Sequence, residues 1–371
     1  MQDSFRLGRF FGIEVGVNWS WLVVVALIVW TLATGIFPAQ DPGLSRGAYV
    51  AMAIVAALLF FTSLLLHELG HALVARRAGM EIEGITLWLF GGVAKFRGMF
   101  PSAGAEFRIA IAGPLVSLAL GLLFALAAWR AGLPEAVDGV VAWLGYINLS
   151  LLVFNLLPAL PLDGGRVLRS ALWQFRGDFA WATHIASLIG RGFGYVFIAG
   201  GIFFFIFHGA FSGAWLAFIG WLLLQAAAAE DRYLIAQRAL GGLRVRDLMV
   251  RDPVTTHPDV TIGELIDEIV RRRMFTTYPV TEGGRAVGLL PFRRVAEVPR
   301  RDWDVRTVRD CMLPLADVPV VGADEPLLDA AAELGESGVN RGLVLDGERL
   351  VGLLSMTDVV RALEMRRRRR R

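Results

Sequence analysis

The chain has 371 residues, of which 55% are hydrophobic and only 19% charged, with a mean hydropathy of +0.55. That is too apolar for an ordinary soluble protein, and the apolar residues are concentrated before about residue 230. The net charge of +3 is small, and the single cysteine, Cys311, excludes an intrachain disulfide and reads as a packing residue.

Six stretches are long enough to cross a hydrocarbon core of ~30 Å as helices. They run over 17–37, 49–78, 105–129, 137–162, 188–207 and 213–229. Arg6 and Arg9 precede the first, but no polar region with a cleavage site follows, so it reads as a retained span and not a signal peptide. Between the second and third spans, Ile85 to Phe96 reads as an apolar hairpin too short to cross. The fourth span ends in an irregular Pro-rich stretch. Basic residues orient the bundle: Arg6 and Arg9; Arg76, Arg77, Lys95 and Arg97 after the second span; Arg166, Arg169, Arg176 and Arg191 after the fourth. The alternate loops hold only Arg46 and Arg130. The positive-inside rule therefore predicts a multi-pass protein of the cell membrane with both termini in the cytoplasm.

From Arg244 onward the composition becomes soluble, and it repeats. Val245-Arg-Asp-Leu-Met249 recurs as Val308-Arg-Asp-Cys-Met312, and Val287-Gly-Leu-Leu290 as Val351-Gly-Leu-Leu354. Two copies at this period mean a tandem pair and not a solenoid. Each copy reads as a short strand, an amphipathic helix (261–273; 326–337), two short apolar strands and a second helix. The expected divisions are a membrane domain over 1–229, a linker over 230–243, repeats over 244–303 and 304–365, and a basic tail over 366–371. That tail reads as a solvated end near anionic lipid head groups, and no nucleic-acid partner is expected.

The strongest local signal is His67-Glu68-Leu69-Gly70-His71, inside an apolar span. On a helix, positions i and i+4 share a face, so both imidazoles can bind one metal ion. Glu68 then lies beside a water acidified by that metal and can take its proton. Two histidines and a glutamate are expensive in hydrocarbon and rarely occur there without work to do. A third ligand is available in Asn155-Leu-Leu-Pro158-Ala-Leu-Pro161-Leu-Asp163-Gly164-Gly165. Pro158 and Pro161 interrupt the helix, and unwound backbone at membrane depth is tolerated where it lines a cavity. The second and fourth spans run in the same direction with their motifs towards the same end, so His67, His71 and Asp163 are expected at one depth. Two histidines and one carboxylate also suit iron, but the neighbouring glutamate favours zinc hydrolysis.

On these two motifs the membrane half resembles the site-2 protease family of intramembrane metalloproteases. Gly113-Pro114-x-x-Ser117 and the Gly91-Gly92 hairpin are supporting matches. The resemblance implies a polytopic α-helical domain of six spans with a re-entrant β-hairpin. It also implies one zinc ion held by His67, His71 and Asp163, Glu68 as the acid/base residue, and Asn155 holding substrate or stabilising the oxyanion, unless Asn155 serves only a helix interface. Substrates would be membrane-tethered proteins cut in or near a transmembrane segment, in regulated intramembrane proteolysis. An unwound substrate could add as a strand to one edge of the hairpin, or the hairpin could be purely structural. Gly113, Ser117 and Gly121 most simply allow close helix contact.

The soluble half resembles a pair of CBS domains, an α/β tandem that often binds adenine nucleotides through a Ser/Thr-x-x-Asp motif. The second copy has Ser355-Met-Thr-Asp358; the first has Pro291-Phe-Arg-Arg294 and lacks both groups. At most one ordinary nucleotide site is expected, at Ser355 and Asp358, with homodimerisation as the other role for the module. His184, His208 and His257 have no partners at ligand spacing and read as structural or surface residues. The competing reading is a metal-ion transporter with a CBS module, which would need polar groups along the whole path through the membrane.

Overall fold

The computed structural model describes residues 5–88, 91–97, 99–130, 132–209, 211–272 and 275–368. The chain divides into two compact units at Arg232/Tyr233.

The first unit opens with two strands that the sequence does not announce. β1 (Phe5–Phe10) and β2 (Ile13–Val17) pair antiparallel around Phe11 and Gly12, whose φ angles are 52° and 81°. Positive φ at both turn residues matches the twist of a two-residue hairpin. Helix α1 (Ser20–Thr31) continues through a π-helical turn at Leu32–Ile36 into α2 (Phe37–Gln40). The long helix α3 (Arg46–Arg77) starts at Ser45, whose hydroxyl accepts the Ala48 N–H at 3.2 Å, and ends in two arginines that suit the negative end of its dipole. Next come β3 (Glu81–Trp88) and β4 (Gly91–Arg97), so the expected hairpin forms. It belongs to a four-stranded sheet in the order β1-β2-β3-β4, in which β3 runs parallel to β2. The turn at Leu89 and Phe90 lies outside the described residues.

Helices α4 (Ala103–Arg130) and α5 (Glu135–Asn155) follow, then α6 (Asp163–Arg176), α7 (Phe179–His208) and α8 (Phe211–Leu240). Among the described residues, six helices are long and apolar enough to cross a membrane: the joined α1–α2, then α3, α4, α5, α7 and α8. Several boundaries differ from those expected. The fourth span stops as helix at Asn155, and Asp163 is the first residue of a separate amphipathic helix. The last two helices extend well beyond 188–207 and 213–229, and α8 continues through residues expected to be linker. Hydropathy marks where a helix is apolar, and both run on past that point with polar residues. Many large apolar side chains remain exposed, including Phe203, Phe204, Phe205, Ile206 and Phe207, as a lipid-facing surface requires.

The second unit holds β5 (Val250–Arg251), α9 (Ile262–Arg272), β6 (Thr277–Glu282), β7 (Arg285–Pro291) and α10 (Phe292–Ala296), all from the first repeat. The second repeat gives α11 (Val308–Cys311), β8 (Leu313–Pro314), β9 (Val320–Gly322), α12 (Leu327–Glu336), β10 (Arg341–Asp346), β11 (Arg349–Ser355) and α13 (Met356–Arg368). One seven-stranded sheet joins the copies. The leading strand of each copy pairs with the last strand of the other: β5 with β11, and β8 with β7. The cores follow the same exchange. Val245 packs with Leu327, Leu334 and Leu354 of the second copy, whereas Val308 and Cys311 pack with Ile262, Leu265 and Leu290 of the first. Neither copy completes its core alone.

Candidate active site

Along α3, His67 and His71 lie one turn apart, both buried, as their i, i+4 spacing dictates. The His71 Nδ1–H donates to the Ile109 carbonyl at 2.6 Å, which leaves its Nε2 lone pair facing inward. Nδ1 of His67 lies 2.9 Å from the Ser117 hydroxyl. The two Nε2 atoms approach to 3.1 Å, and Asp163 Oδ2 sits 3.2 Å from each. Two imidazole nitrogens and a carboxylate oxygen thus converge, three electron-pair donors with no cationic side chain between them among the described residues. This is the donor set of an open zinc site, and it fits that ion. The outer nitrogens are held by a hydroxyl and a backbone carbonyl, the usual way ligand histidines are oriented.

Helix α4 supplies the support from one face. Ile109, Gly113 and Ser117 recur at i, i+4 and i+8 and are buried. A methyl group at Gly113 would overlap Nε2 of both histidines, so only glycine leaves room for the imidazoles at this crossing. Gly70 likewise faces the backbone of Ala112, where a Cβ would lie 3.2 Å from the carbonyl oxygen. Pro114 removes one rung from α4 and frees the carbonyl of Ala110, beside the Ile109 carbonyl that serves His71.

Glu68 is half-buried next to His67, and the backbone of β4 passes it so closely that a methyl at Gly92 would overlap its side chain. Asp163 reaches the histidines because α5 ends and the chain turns through Leu156–Leu162 before α6 begins. Cβ atoms at Gly164 or Gly165 would collide with the backbone of that turn. Asn155 closes α5, half-buried, and is not among the groups that meet the imidazoles. The sequence motifs therefore assemble His67, His71 and Asp163, while the roles of Ser117 and Ile109 come from the fold. Ser117 is legible as a small residue and as part of the Gly113-Pro114-x-x-Ser117 match but not as a partner of His67, and a backbone carbonyl has no signature.

Residues 55–132 and 128–199 match the model of peptidase family M50, and residues 245–300 and 308–365 match the CBS domain. A relative from Mycobacterium tuberculosis strain H37Rv, named zinc metalloprotease Rip3, is 40% identical over 374 residues, covering 99% of this chain and 94% of its own. The chain belongs to peptidase family M50, the site-2 protease family. A second relative, named zinc metalloprotease sll0528, from Synechocystis, is 34% identical over 98% of this chain and 96% of its own. The solved structure of a site-2 protease from Methanocaldococcus jannaschii is 29% identical, covering 62% of this chain and 95% of that one with a TM-score of 0.43. The protein is thus a multi-pass zinc metalloprotease of the membrane, with a CBS pair at its C-terminus.

In the CBS pair, Ser355 and Asp358 meet at the start of α13. The Ser355 hydroxyl donates to Asp358 Oδ2 at 2.6 Å and accepts the Asp358 N–H at 3.2 Å. In the first copy α10 starts after Pro291 with no side-chain cap, and Arg294 turns to the carbonyls of Cys311 and Met312. Burial pushes the Cys311 thiol above its ordinary pKa, in keeping with a packing role. The lone histidines make surface contacts. His184 lies 3.5 Å from Asp231, and exposed His257 neighbours Asp259 and Glu282, which Arg309 already bridges.

Proposed function

We propose that this M50 protease hydrolyses peptide bonds in or near the transmembrane segments of membrane-tethered substrates, in regulated intramembrane proteolysis. The convergence of His67 Nε2, His71 Nε2 and Asp163 Oδ2 among membrane-spanning helices carries the reading. These three residues would hold one zinc ion. Zinc, when bound, acidifies a water and polarises the scissile carbonyl. Glu68 accepts a proton from the attacking water on its carboxylate and returns it to the departing amide nitrogen. The Ile109 carbonyl keeps His71 in the tautomer that points its Nε2 lone pair inward, and the Ser117 hydroxyl orients the His67 ring by its contact with Nδ1. By the family resemblance, Asn155, at the end of α5, holds the substrate or stabilises the oxyanion through its amide.

A helical substrate hides its carbonyls in hydrogen bonds, so it must unwind. Strand β4 lies at the end of the four-stranded sheet and passes Glu68 at Gly92, which supports pairing of an extended substrate with its outer edge. The basic loops support a reading in which the catalytic motifs and both termini lie on the cytoplasmic side of the cell membrane. The CBS pair binds an adenine nucleotide at Ser355 and Asp358, or forms a homodimer, and thereby regulates the protease. The domain limits we assign are 1–229, 230–243, 244–303, 304–365 and 366–371; residues 369–371 lie outside the described part.

Metal removal tests the catalytic reading. Full-length protein in detergent should lose cleavage of a transmembrane reporter on chelation and regain it with one equivalent of zinc, not with magnesium. Cleavage that survives complete removal of zinc would overturn the reading.

A further inference from the structure

Away from the ligands, the membrane unit buries a second group of charges. Arg169 of α6 is 3% exposed and Glu106 of α4 is fully buried. Glu106 Oε1 accepts from Arg169 Nε at 2.6 Å and from Nη2 at 2.5 Å. Arg169 Nη1 donates to Glu230 Oε1 of α8 at 3.0 Å. The guanidinium lies 5.0 Å from the centre of the Phe179 ring and 5.8 Å from that of Phe100. Three helices therefore meet at one side chain. Packing alone does not call for this: apolar residues of similar volume hold buried helices as well as an ion pair does, without its desolvation cost. What a planar guanidinium adds, with two nitrogens on one Glu106 oxygen and the third on Glu230, is a fixed register between the elements that carry it.

The register it fixes is that of the metal site. Glu106 stands one turn before Ile109, on the face of α4 that continues through Gly113 to Ser117, and all four residues are buried. Arg169 stands on α6, the helix that begins with Asp163. The ion pair thus joins the helix bearing the carboxylate to the helix that orients both imidazoles.

We propose that Arg169 is a positioning residue of the metal site, locking the Asp163 helix to α4 through Glu106 and tying α8 into the same cluster through Glu230. It touches neither substrate nor metal; it acts through Asp163, His67 and His71. The inference rests on the assignment of those three residues as zinc ligands. Loss of the lock should loosen the three-way approach of the donor atoms, and so weaken zinc binding and slow turnover without a matching change in substrate binding.

The test uses full-length protein in detergent, with zinc affinity read by competition against a fluorescent chelator and cleavage kinetics measured alongside. Arg169→Met should weaken zinc binding by roughly 10- to 100-fold, the range for loss of a group that orients metal ligands. It should lower kcat with KM little changed. Arg169→Lys keeps the charge but not the fork, and should fall between that variant and the wild type. Because Arg169→Met strands a buried carboxylate at a cost to folding, the paired Glu106→Gln/Arg169→Met variant, which removes both charges, carries the same test. Its zinc affinity should still fall at least tenfold, whereas a merely structural role would move its thermal unfolding temperature and leave zinc affinity unchanged. Wild-type zinc affinity and kcat in the paired variant would overturn the positioning role alone. Failure of the wild-type protein to bind zinc would instead overturn the ligand assignment beneath it.

Discussion

His67, Glu68 and His71 are legible in the sequence because the α-helical period places i and i+4 on one face, and because ionisable groups in an apolar span demand a reason. Asp163 is legible for a different cause: two prolines and two glycines mark irregular backbone beside a carboxylate. Ser117, Ile109 and Arg169 are not. Their parts depend on which helix faces which, and that information is held in three dimensions. Gly113 lies between these cases, since a small residue suggests close packing without saying against what. The structure answers with the two imidazole rings. Gly113→Ala should therefore displace one or both imidazoles, lowering zinc affinity and kcat/KM by on the order of 100-fold. Parallel zinc titration and reporter cleavage check this, and unchanged zinc affinity would show that the rings have room to move.

Among the elements, long apolar helices survive the passage from sequence to structure, and their ends do not. A helix continues wherever its backbone stays hydrogen-bonded, so α7 and α8 run past the apolar stretches that announce them. The β1–β2 hairpin is hidden because its first strand, Phe5-Arg-Leu-Gly-Arg-Phe10, carries two arginines at a position that also reads as the basic flank of a span. The exchange of leading strands between the CBS copies is equally invisible, because a repeat gives the period and not the partner. The start of α13 carries its own prediction. Ser355 and Asp358 cap each other there, at the positive end of a helix that the first copy begins without such a cap. ATP, ADP or AMP titrated against the full-length protein should bind below millimolar concentration, and Asp358→Ala should weaken binding about tenfold, ~1.4 kcal/mol. No binding, or binding indifferent to Asp358→Ala, would leave dimerisation as the role of the module.

At the scale of the whole molecule, two solvents shape one chain. The membrane unit keeps large apolar side chains outward and encloses a few charged groups, with Arg169 and Glu106 paired inside and the histidines gathered around Asp163. The second unit reverses that arrangement, with apolar cores under a charged surface. Catalysis in such a setting depends on a base that is not also a ligand. Glu68→Gln removes the base and leaves all three donor atoms, so the measurement that tests the central claim most directly is zinc content and reporter cleavage of this variant beside the wild type. One zinc per chain should be retained while cleavage falls by about 10²- to 10⁴-fold, the range typical of a lost general base. Cleavage at the wild-type rate by the zinc-loaded variant would contradict the mechanism.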